Sequence, residues 1–153
     1  MGRTLLAWLC AVDAAAWSAM ATQTLVQWWR FPEAPPSLGD PKMLFSMTTA
    51  MAVAGAIFGA PAGAGAIVAI RHFEWSRPLA DIAFAALAAV SGAALCMALN
   101  VAFNAVANGA PFVSQGAYAL GLLGGMLLML VAGGAVGGCV YWLVAGRPAP
   151  PYS

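Results

Sequence analysis

Residues 43–70, MLFSMTTAMAVAGAIFGAPAGAGAIVAI, carry no Asp, Glu, Lys, Arg or His. As one helix rising ~1.5 Å per residue, this run extends roughly 40 Å, enough to cross a hydrocarbon core of about 30 Å. The rest of the chain could not wrap such a segment in a polar surface. Of all residues 63% are hydrophobic and 7% charged, where soluble domains carry about a quarter charged. The run therefore predicts a helical membrane protein.

The same stretch is patterned for close helix contact. Gly55, Gly59 and Gly63 recur every four residues and share one helical face, with Ala52, Ala56, Ala60 and Ala64 beside them. In lipid, close packing replaces the hydrophobic effect as the main source of helix association, and small residues at this spacing favour it. Pro61 removes a backbone donor and crowds the Ile57 carbonyl, so a kink or break is expected there.

Three further apolar runs flank this one. The sequence predicts an all-α integral membrane protein with four transmembrane helices, about 5–29, 43–70, 79–107 and 116–145, and Gly/Ala-rich packing faces. They form a single domain over 1–153, with a Pro-rich outer loop at 30–42 and a short tail at 146–153. Asp40 before Pro41 is a helix start: a side-chain cap, then proline at the first helical position. Pro78 and Asp81 suit the first turn of the third helix. Gly109 is expected to cap its end, and Gly146 and Pro148 end the fourth helix. In that last helix Gly121 and Gly125, Gly133 and Gly137, and Gly134 and Gly138 repeat the four-residue spacing. A cleaved signal peptide competes for the first run, but Asp13 interrupts it early, and an uncleaved span is expected.

Four crossings place both ends of the sequence on one side. Arg3, Arg71, Arg77 and Arg147 fall on that side, Arg30 and Lys42 on the other. The positive-inside rule then predicts a multi-pass protein of a bacterial inner membrane with both termini cytoplasmic. Trp28 and Trp29 are expected at the outer interface, and Trp8, Trp75, Tyr141 and Trp142 at the inner one.

Candidate chemistry is sparse. Cys10, Cys96 and Cys139 are far apart, with no CxxC pattern, and read as small buried hydrophobes. His72 is the single histidine, and no metal or other cofactor is expected. Glu74, Arg77 and Asp81 read as the solvated rim of a turn. Asn100, Asn104 and Asn108 form a polar strip at the end of the third helix, read either as a pore lining or as helix-end hydrogen bonding. Asp13 is the one ionisable residue well inside a run. It is expected to face the other helices and to clamp onto Ser91, or onto the carbonyl freed by Pro61, at a similar depth. A net charge of +1 gives no basis for nucleic-acid binding. No motif assigns the chain to a family. The expected function is a small non-catalytic subunit or assembly partner of a larger membrane complex, in contact with the bilayer and with other subunits or itself. The alternative is a small oligomeric channel or transporter using Asp13 and the Asn100/Asn104 strip.

Overall fold

The computed structural model describes residues 2–30, 32–33, 40–72, 78–109 and 111–146, with side chains at 70–72 and 78–80 excepted. Expectations resting on His72, Glu74, Trp75, Arg77 and Arg147 lie outside the described residues or side chains. Four helices make up almost all of the described chain: α1 (Gly2–Arg30), α2 (Pro41–His72), α3 (Pro78–Asn108) and α4 (Phe112–Ala145). All four are long and apolar enough to cross a membrane.

The helix ends follow local chemistry. Lys42 N–H donates to the Asp40 carboxylate at 2.9 Å, and Leu44 N–H donates to the Asp40 carbonyl at 3.0 Å, fixing the start of α2. Gly109 and Gly146, at φ +62° and +79°, end α3 and α4 in a backbone conformation that side chains with a Cβ disfavour. The Gly146 N–H donates back to the Trp142 carbonyl at 3.0 Å. α4 begins at Phe112, one turn before the expected 116. The Pro111 carbonyl already accepts from the Gln115 N–H at 3.2 Å and the Ser114 hydroxyl at 3.1 Å, so the helical ladder starts there. Pro61 does not break α2, which remains helical from Pro41 to His72.

Four threonine hydroxyls inside the helices are satisfied by their own backbone. Thr22, Thr24, Thr48 and Thr49 each donate to the carbonyl four residues earlier, at 2.8–2.9 Å. Such bonds let a threonine sit in hydrocarbon without an orphaned donor.

Each helix packs against two others. α1 lies beside α2 and α4, and α3 lies beside α2 and α4, so consecutive helices are neighbours and α4 closes onto α1. The Arg3 side chain Nε donates to the Val144 carbonyl at 2.8 Å, tying the start of α1 to the end of α4. Below this tie Ala7, Ala11 and Tyr141 form a buried cluster, with Trp8, Ile67 and Trp142 against it. The Tyr141 and Trp142 rings meet edge to face at 5.2 Å. Trp8 and Tyr141 both turn inward, against the neighbouring helices. The reason is space: a Cβ at Gly63 would lie 2.5 Å from the Trp8 ring, so the missing side chain is what admits the indole.

Candidate functional site

α4 packs against both α1 and α3, and its glycines divide into two sets. A Cβ at Gly133 would stand 2.7 Å from the Ala15 carbonyl oxygen, and one at Gly137 2.8 Å from the Ala11 carbonyl oxygen. Both belong to the seam with α1. A Cβ at Gly134 would lie 2.7 Å from the Ala86 Cα, and one at Gly138 would run into the Ala85 side chain, both on α3. The adjacent pairs Gly133–Gly134 and Gly137–Gly138 therefore serve two neighbours at once, because successive residues are turned ~100° around a helix. A third close approach joins α2 and α3, where a Cβ at Gly92 would be 2.9 Å from the Gly59 Cα. Gly121, Gly124 and Gly125 are different. All three are exposed and have nothing within 4 Å of the position a Cβ would take.

Between the four helices lies a cavity of about 310 Å³. Its wall is mostly alanine, glycine and methionine, with the Trp8, Phe58 and Trp142 rings. Among the described residues, Asp81 is the only acidic or basic one in that wall and is 3% exposed. This corrects the reading of Asp81 as part of a solvated rim. Asp81, Ala85, Ala88, Ala89 and Gly92 follow one another at helical spacing and all face the cavity, so the face that buries the alanines also buries the carboxyl group. That stripe is visible in the sequence and was the available signal.

A second hollow, about 610 Å³, opens between the end of α3 and the start of α4, bordered by Asn100, Asn104, Ser114, Gln115 and Tyr118. The asparagines are linked along the helix. Asn108 Nδ2 donates to Asn104 Oδ1 at 3.0 Å, and Asn104 Nδ2 to Asn100 Oδ1 at 2.9 Å. Asn100 and Asn104 border the hollow, while Asn108 is exposed beyond it. The strip is thus a self-bonded ladder at a helix end, with two members facing an open groove.

Asp13 and Ser91 are both exposed on the outer surface, and the structure does not bring them together. This corrects the expectation of an inward clamp. Ala11 and Ala15 occupy the side of α1 that meets α4, and Asp13, two residues from each, is turned ~200° away. Among the described residues, none hydrogen-bonds to or pairs with the Asp13 carboxyl. No three His, Cys, Asp or Glu side chains converge as a metal site among the described residues. No family model, curated protein or solved structure matches this chain.

Proposed function

We propose that this chain is a four-helix bundle of a bacterial inner membrane, both termini cytoplasmic, acting as a non-catalytic subunit or assembly partner of a larger membrane complex. The observation that carries this reading is the outward glycine set. Four glycines of α4 are taken up by internal seams, whereas Gly121, Gly124 and Gly125 on the same helix face outward with nothing against them. Exposed glycines offer lipid chains little contact area. They offer a partner helix close backbone approach, which is the main source of association within a bilayer. The polar groups support the same direction. Among the described residues they are dispersed over the inner cavity, the outer groove and the outer surface, and do not converge as a reaction would require.

The test is the native mass of the complex extracted in lipid nanodiscs, compared with that of Gly125→Leu. A heavier heteromeric complex is expected for the wild type, lost in Gly125→Leu while the helix content stays the same. A wild-type monomer would contradict the proposal, and a lone homo-oligomer would favour the channel or transporter alternative.

A further inference from the structure

Asp13 is a carboxyl group on the outside of a helix that is otherwise clad in hydrocarbon. Its neighbours one turn away on the same face, Leu9 and Trp17, are 50% and 43% exposed. Asp13 lies ~12 Å along α1 from Leu5, where the apolar run begins, deeper than the short side chain can reach back from to touch the interface. An ionisable group facing lipid at such depth is costly unless a partner meets it. The four threonines escape a similar penalty through bonds within their own helix, but no described residue partners Asp13.

Resting on the subunit reading above, we infer that Asp13 docks a transmembrane helix of a different protein that carries a lysine or arginine at the same depth. Charge complementarity selects this occupant. The six cations of the chain are Arg3, Arg30, Lys42, Arg71, Arg77 and Arg147, all at or beyond the ends of the apolar runs. A second copy therefore has no positive charge to bring to Asp13. A basic partner helix has the matching problem, a cation that is costly in lipid, and the two costs cancel where they pair. The contacts of Ala11 with Gly137 and of Ala15 with Gly133 set Asp13 level with residues 133–137 of α4. The docking face is thus the outer side of α1, turned away from the seam with α4 and carrying Leu9, Asp13 and Trp17.

The probe is a synthetic leucine–alanine transmembrane helix with one lysine level with Asp13, and its control carries leucine there. Association with the intact protein is measured by energy transfer in phosphatidylcholine vesicles. The lysine probe should bind the wild type about tenfold more tightly than the control. Asp13→Asn should lose that preference while keeping its thermal stability, since the side chain touches none of the seams. Moving the lysine two turns towards the opposite face of the membrane should also abolish it. Equal binding of both probes to the wild type, or a lysine preference that survives Asp13→Asn, would overturn the inference. So would a wild-type homo-oligomer that Asp13→Asn dissociates, because the occupant would then be a second copy. The subunit reading fails separately: a heteromeric complex sensitive to Gly125→Leu could persist with no lysine preference, and a lysine preference could be found in a protein that is monomeric in its own membrane.

Discussion

At the scale of single residues, glycines that look alike in the sequence differ in what surrounds them. Adding a methyl group at Gly137 directs a carbon at the Ala11 carbonyl oxygen, a backbone atom that moves only if α1 moves. At Gly124 the same carbon enters open space. Gly137→Ala should therefore lower thermal stability, by about 1–3 kcal/mol as overpacking does. Gly124→Ala should be neutral or stabilising by up to ~1 kcal/mol, the usual gain for alanine over glycine in a helix. Thermal unfolding of both in the same detergent checks this, and equal shifts would show that the two glycine sets are not distinct. The four-residue spacing is legible in the sequence, but which glycines meet a neighbour is not. That depends on where α1 and α3 lie, and no local pattern encodes it. The outward turn of Asp13 has a related cause. Depth along a helix carries no direction, and the stripe Ala7, Ala11, Ala15 and Ala19 occupies the inward face.

At the scale of elements, helix number and helix ends were largely readable. Long apolar runs set the number, and Asp40–Pro41, Gly109 and Gly146 act through chemistry confined to a few neighbouring residues. Asp40→Ala removes the acceptor of the Lys42 N–H, 2.9 Å away, and should destabilise α2 by about 1 kcal/mol. Amide exchange at residues 42–44 measures the effect locally, and unchanged protection there would mean the cap contributes nothing. The break expected at Pro61 did not occur because helix propensity is a weak prior. A long apolar helix packed between two neighbours can remain helical through a proline, since local adjustment and neighbouring groups compensate for the lost backbone bond. The start of α4 was placed late because Ser114 and Gln115 look like loop residues, although both in fact bond back to the Pro111 carbonyl.

At the scale of the whole molecule, the proposed subunit has all four helices crossing a membrane with the ends of α1 and α4 on its cytoplasmic side. The Arg3–Val144 tie already puts those two ends together. The outward glycines, the cost of exposing Asp13 and the small-residue seams take their meaning from lipid surrounding the molecule, and in water each would read differently. Cysteine labelling in sealed cells is the most direct measurement, made in a variant with Cys10, Cys96 and Cys139 replaced. An impermeant maleimide added from outside should label Ser37→Cys and Ser114→Cys, and should leave Ser76→Cys and Ser153→Cys untouched until the cells are opened. Labelling of Ser153→Cys in sealed cells, or equal labelling at all four positions, would contradict the account.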